Sequence, residues 1–163
     1  MSNALPSVPV EVRLERILVA GVGNVLRGDD GFGPAVTQML VGLPEGAQVI
    51  ETGIGGIALL QEIMIGCSGL ILIDAVDRGA PPGTVFHIEP EIEKTAHIPD
   101  VHLANPARVL SMAKTMGVLP ERVVIIGCQP ADTEELHQGL SPPVQRALPS
   151  AVRRIEELVH AWL

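Results

Sequence analysis

Three short runs of almost purely aliphatic residues, Ile17–Ala20, Gly69–Ile73 and Val123–Ile126, set the terms for this chain. Each is too short for a buried helix, and none shows the polar alternation of a strand with one wet face. Such runs belong to strands buried on both sides, which means a parallel sheet covered by helices. Between them, apolar residues recur at helical spacing, as at Ile57, Leu60 and Met64. The chain has 163 residues, enough for one domain with a sizeable core. It carries two Phe, one Trp and no Tyr, so that core must be aliphatic.

Taken in order, the pattern predicts strands at Arg16–Ala20, Gln48–Glu51, Gly69–Asp74, Thr84–Ile88 and Arg122–Gly127. Helices are predicted over Pro34–Val41, Ile57–Ile65 and Asn105–Met116, with Asn105 as N-cap and Pro106 in the first position. A last helix, Pro143–Leu163, carries Val144, Leu148, Val152, Ile155 and Leu158 on one stripe. Surface loops are expected over 89–101 and 129–142. The link between the third and fourth strands is too short for a crossover helix, so those two should run antiparallel. The fold class that follows is α/β: a three-layer α/β/α arrangement with a mostly parallel five-stranded sheet and one antiparallel strand. Residues 1–15, with two prolines, read as a flexible lead-in, and 16–163 as a single α/β domain.

A net charge of −8 disfavours nucleic acid and anionic membrane as partners. Cys67 and Cys128 fit no metal-ligand spacing and sit in or beside apolar runs, as reduced buried thiols would. No signal peptide is evident near Met1, and no apolar run reaches membrane-spanning length. A soluble, cytoplasmic protein is the expectation.

The chemistry should gather where the first strand breaks into glycines. Gly21 and Gly23 invite a dinucleotide-binding reading, but Leu26 occupies the third glycine position and the acidic pair Asp29–Asp30 would repel a pyrophosphate. One acid of that pair could serve the coming helix. Two adjacent carboxylates still need something positive nearby, and a metal ion would supply it. Asp74 ends the third strand, and strand carboxyl ends in open α/β sheets face the ligand crevice. His102, between Val101 and Leu103 and just ahead of a helix, is the histidine best placed to be tethered near the body. Two carboxylates and an imidazole suit divalent ions such as Zn²⁺, Ni²⁺, Mn²⁺ or Fe²⁺ and leave positions open for water or substrate. Ser68, Ser111, Ser141 and Ser150 lack the strand–turn context of a nucleophile elbow.

The stretch Gly21–Gly33 resembles the opening signature of the hydrogenase maturation endopeptidases. The likeness continues through Glu51–Gly56, Leu72–Asp77 with Pro82 and Gly83, His102, Gly127–Pro130 and Gly139–Ser141. It spans Arg16 to Val159. Those enzymes trim the C-terminal extension of [NiFe] hydrogenase large subunits. The resemblance implies that Asp30, Asp74 and His102 recognise nickel carried by the precursor, forming the catalytic and metal-binding set. Another divalent metal could occupy the isolated enzyme. The partner implied is the [NiFe] hydrogenase large-subunit precursor. The resemblance further implies a substrate-contacting loop at Glu51, Thr52, Gly53, Gly55 and Gly56, with the glycines allowing close backbone approach. Glu51–Thr52 stands where many members have Asp-Gly, which bears on which hydrogenase is served. Asp29 is assigned to holding the opening loop. Against the endopeptidase stand two alternatives: a non-catalytic chaperone that binds nickel or the precursor, and a nucleotide-binding module.

Overall fold

Successive residues of a strand point to opposite faces, and both faces of this sheet are filled. The computed structural model describes residues 15–94, 105–133, 136 and 138–163. Five strands, β1 (Ile17–Val22), β2 (Ala47–Gly53), β3 (Gly69–Ala75), β4 (Val85–Ile88) and β5 (Arg122–Cys128), form one sheet in the order β2-β1-β3-β5-β4. The first three and β5 are parallel; β4 runs antiparallel to β5. Thus β4 has the direction the short link demanded, yet its neighbour is β5, not the β3 that precedes it.

Among the described residues four helices cover the sheet: α1 (Phe32–Met39), α2 (Gly56–Ile65), α3 (Pro106–Thr115) and α4 (Pro142–Trp162). On one face, Ile17, Val19, Ile71 and Ile73 pack with Phe32 and Val36 of α1 and with Ala151 and Ile155 of α4. On the other, Leu18, Ala20, Leu70 and Leu72 pack with Leu59 and Ile63 of α2 and with Val109, Leu110 and Ala113 of α3. This division explains why the runs are apolar at every position: odd and even residues serve different cores. Asn105 caps α3 as predicted, its Oδ1 accepting from the Ala107 N–H at 3.0 Å. Pro149 lies inside α4 but faces solvent, so the Gln145 carbonyl it leaves without an N–H partner can meet water. No helix among the described residues is long and apolar enough to cross a membrane. The expected lead-in, apart from Glu15, lies outside the described residues, as does the 95–101 part of the expected loop.

The strand order creates one special place. From β1 the chain passes through α1 to β2 on one side; from β3 it proceeds to β4 and then through α3 to β5, both on the other. The connections therefore diverge at the carboxyl ends of β1 and β3, the switch point where open α/β sheets leave a crevice. A 3-10 turn, Gly28–Gly31, starts the first of these connections and puts the helix opening two residues before the predicted Pro34. What lets α1 sit so low on the strand tips is Gly33: a Cβ there would lie 2.4 Å from the carbonyl oxygens of both Ile73 and Val22. Replacing a helical glycine by alanine ordinarily stabilises by about 0.5–1 kcal/mol. Here the sign should reverse. Gly33→Ala should cost about 1–3 kcal/mol or more through overpacking, read as a lowered midpoint in chemical denaturation; an unchanged or raised midpoint would mean α1 can lift off the sheet freely.

Candidate active site

Glycines shape the loop between β1 and α1. Gly23 has φ 138°, and a Cβ on it would come 1.9 Å from the Asp30 carbonyl oxygen, so the loop folds back on itself where only glycine fits. Hydrogen bonds then fix it. The Asn24 N–H donates to Asp30 Oδ2 at 2.7 Å, the Leu26 N–H to Asn24 Oδ1 at 2.9 Å, and the Arg27 N–H to the Asn24 carbonyl at 3.0 Å. The Gly23 N–H donates to the Gly53 carbonyl at 3.1 Å, tying this loop to the one after β2.

The two adjacent acids take opposite roads. Asp29 turns inward and is 1% exposed. Its carboxylate accepts from Ala131 N–H at 2.8 Å, Asp132 N–H at 3.3 Å, and both the N–H and the hydroxyl of Ser141 at 2.7 Å. Burial pushes the carboxyl up, but the bonds from Ser141, Ala131 and Asp132 outweigh it and hold it below the usual carboxylate range. Ser141 is the N-cap of the 21-residue α4, so this charge also sits at the positive end of a long helix. Asp29 thus holds the loop, the role assigned to it. The positive counterpart expected for the acidic pair is, for Asp29, a set of N–H and O–H donors.

Asp30 is not spent as a helix cap: neither the 3-10 turn nor α1 has a side-chain cap. Half-buried, it joins Asp74 on the wall of a crevice of about 290 Å³ at the switch point. Burial, and then the neighbouring Asp30 charge, push the Asp74 carboxyl up to about 7; a hydrogen bond from the Ala75 N–H offsets this only in part. The structure therefore brings two of the three expected site residues together. His102 lies outside the described residues. Pro106, at the start of the helix that follows it, does line the crevice. Among the described residues no three His, Cys, Asp or Glu side chains cluster as a metal site. Asp30 and Asp74 offer two oxygen donors of the kind hard and borderline cations accept.

The loop after β2 meets the crevice through Gly53 and Ile54; Glu51, Thr52, Gly55 and Gly56 are not on its wall. Glu51 is exposed, and the Thr52 hydroxyl donates weakly to the Gly21 carbonyl at 3.4 Å, where the register between β1 and β2 shifts. Gly53 has φ 60°, and Cβ atoms at Gly53 or Gly55 would meet nothing within 4 Å. The room at these glycines is thus not filled by any of the described residues.

Two crevice residues escape a pattern-based reading: Asn24, whose backbone holds Asp30, and Arg27, the cationic side chain among the described residues of the wall. Gln129 is another. Buried at the end of β5, its Oε1 accepts from the Arg78 and Ala80 N–H groups at 2.7 and 3.2 Å, and its Nε2 donates to Asp77 Oδ1 at 2.8 Å. It anchors the segment that leaves Asp74. Burial, and then the Asp29 charge, push the Cys128 thiol up to about 11, and burial raises the half-buried Cys67, which favours the thiol over the nucleophilic thiolate at both.

Comparison with known proteins adds a second line. Residues 37–158 match the model of the family described as hydrogenase maturation protease. The hydrogenase expression/formation protein HupD of Rhizobium leguminosarum bv. viciae is 35% identical over 153 residues, covering 90% of this chain and 75% of its own. Among solved structures, the hydrogenase maturating endopeptidase HybD from E. coli aligns with a TM-score of 0.77 at 28% identity, over 90% of this chain and 93% of that one. A hydrogenase 2 maturation peptidase from a Thaumarchaeota archaeon aligns at 0.68 and 32% identity, over 88% and 97%.

The crevice has a measurable cost. Asp74 titrates near 7 when folded against 3.8 as an ordinary Asp. Its favourable contribution is therefore fully present below about pH 4 and lost as pH rises through 7. Asn cannot ionise. Asp74→Asn should melt above wild type at pH 8, by about 3–8 °C for a gain of about 1–3 kcal/mol, and the gap should close near pH 4. An equal gap at both pH values would remove the charge explanation.

Proposed function

The chain belongs to the hydrogenase maturation protease family and is thereby a hydrolase, and from this premise we propose its specific task. It removes the C-terminal extension of a [NiFe] hydrogenase large-subunit precursor in the cytoplasm. Nickel carried by that precursor is the recognition element, met by Asp30, Asp74 and His102. The single observation behind this reading is the pair Asp30 and Asp74: two carboxylates share one crevice wall, and the Asp30 charge raises the cost of charging Asp74. A cation arriving with the substrate relieves that repulsion, so binding energy is gained only when the precursor is loaded.

Hydrolysis itself needs a water oxygen to bond to the scissile carbonyl carbon while the C–N bond breaks and a proton reaches the leaving amine. A carboxylate in the crevice takes the water's proton and returns it to that amine. The metal's place is positioning: it holds the bond near the acids, which is where most of the rate gain from orientation arises.

The test is processing of a purified precursor, with and without nickel, followed by its loss of mass. Shortening should occur only with the nickel-loaded form. Asp30→Asn, Asp74→Asn and His102→Ala should each slow it by about 100-fold or more while the far-ultraviolet dichroism stays unchanged. Binding of the precursor without shortening would make the protein a maturation chaperone instead. Activity retained in His102→Ala would remove that residue from the site.

A further inference from the structure

The two loops that border the crevice, through Asn24 and Arg27 on one and Ile54 on the other, form its rim and carry side chains that the chemistry above does not use. On the loop after β1, Val25 and Leu26 are 43% and 51% exposed; on the loop after β2 and the first turn of α2, Ile54 and Ile57 are 65% and 52% exposed. Arg27 stands beside them, exposed, on the crevice wall. We propose that these five residues are the docking surface for the precursor stretch flanking the cleaved bond, and that this stretch is extended and aliphatic with a carboxylate facing Arg27. The inference rests on the proposed function and specifies its substrate.

Three observations carry it. Val25 and Leu26 lie between the wall residues Asn24 and Arg27 in the chain, and Ile57 follows the wall residue Ile54 by three positions; large exposed apolar side chains on loops bordering a crevice mark a surface that a partner covers. Ile54 lines the crevice with Asp30 and Asp74, so this surface runs continuously into the place where the bond would lie. Second, the surface is held before any partner arrives. The hydrogen bonds of Asn24, Leu26 and Arg27 fix one loop, and the Gly23–Gly53 bond joins it to the other. A rigid rim spends little ordering entropy on binding.

Third, the charges choose the ligand. The chain is acidic overall, at −8, and the crevice wall holds two carboxylates. Arg27 is the cation on that wall, and it takes part in none of the ion pairs among the described residues. A guanidinium offered there suits a carboxylate on the incoming chain. Four aliphatic side chains are too few for stable self-association, which needs about 1,000 Å² of buried surface, and fit a short peptide.

The experiment uses the full chain and a nickel-loaded precursor, with Leu26→Asp/Ile54→Asp and Arg27→Glu as variants. Both should raise KM by about tenfold or more, leave kcat within about twofold, and melt with wild type because the residues are exposed. A precursor with a flanking acid replaced by Lys should restore the KM of Arg27→Glu. An unchanged KM in the double variant, with wild type active, would overturn the rim while leaving the protease reading intact. So would a wild-type dimer that the double variant dissolves without a change in KM, or failure of every flanking charge swap to rescue Arg27→Glu. Should wild type cut no precursor, the protease reading falls by itself, and sedimentation binding of the same precursor decides the rim: weaker binding by the double variant supports it, equal binding overturns it.

Discussion

One buried carboxylate holds the two ends of this molecule's chemistry in register. Asp29 reaches from the first connection of the sheet to residues more than a hundred positions later, where four donors from Ala131, Asp132 and Ser141 converge on it. Hydrogen bonds to a charged group contribute about 1.5–3 kcal/mol each, and a buried charge without them would be prohibitive. Because Asp29 is committed inward, the adjacent Asp30 is carried by the 3-10 turn toward the crevice. The glycines allow this approach, and the buried acid locks it. Asp30 is therefore positioned by backbone geometry, with an Asn24 N–H bond for trim.

The same neighbourhood shows how strain and stability are divided. Asp29 is a charge the fold satisfies, so its contribution strengthens as pH rises above the ordinary carboxylate range. Asp74 is a charge the fold leaves short: burial and a second acid raise its carboxyl to about 7, and its ionisation near neutral pH works against folding. Two carboxylates within one stretch of sheet edge thus have opposite signs in the stability balance. A fold optimised for stability alone would treat both as it treats Asp29.

Much of this was legible in the sequence. Runs apolar at every position announced a doubly covered parallel sheet, and the Asn105–Pro106 pair marked a helix start to the residue. Asp74 was readable because a carboxylate that ends an apolar run must sit at a strand's carboxyl edge. What stayed hidden was pairing over distance. Nothing local says that Ser141 serves Asp29, so the need for positive charge beside the acidic pair pointed to a metal for both acids, when backbone donors answer it for one. The neighbour of β4 was hidden for the same reason: a short link fixes direction, whereas β5, drawn in from some 35 residues later, takes the place between. The loop after β2 was legible as a loop, but only Gly53 of the five residues nominated there reaches the crevice wall. Arg27 carried no motif, and its meaning emerges only when the other side chains around it are seen to be acids and aliphatics.

The arrangement also bears on how selectivity can arise without a deep pocket. A crevice of about 290 Å³ is at the small end for ligand sites and could not enclose a folded protein partner. Recognition must then come from what is brought to it. Two acids that repel each other form a site whose affinity for a cation rises steeply at close range and is weak for a neutral chain. On the reading proposed here, the cation comes with the precursor, and a peptide without it would find carboxylates that repel and a rim that offers only aliphatic contact and one guanidinium. The raised carboxyl of Asp74 costs stability in the free protein, and on the same reading that cost is recovered when the charge arrives. Discrimination of this kind is a difference between two states of one substrate, so it requires the destabilised carboxylate that the fold retains at Asp74.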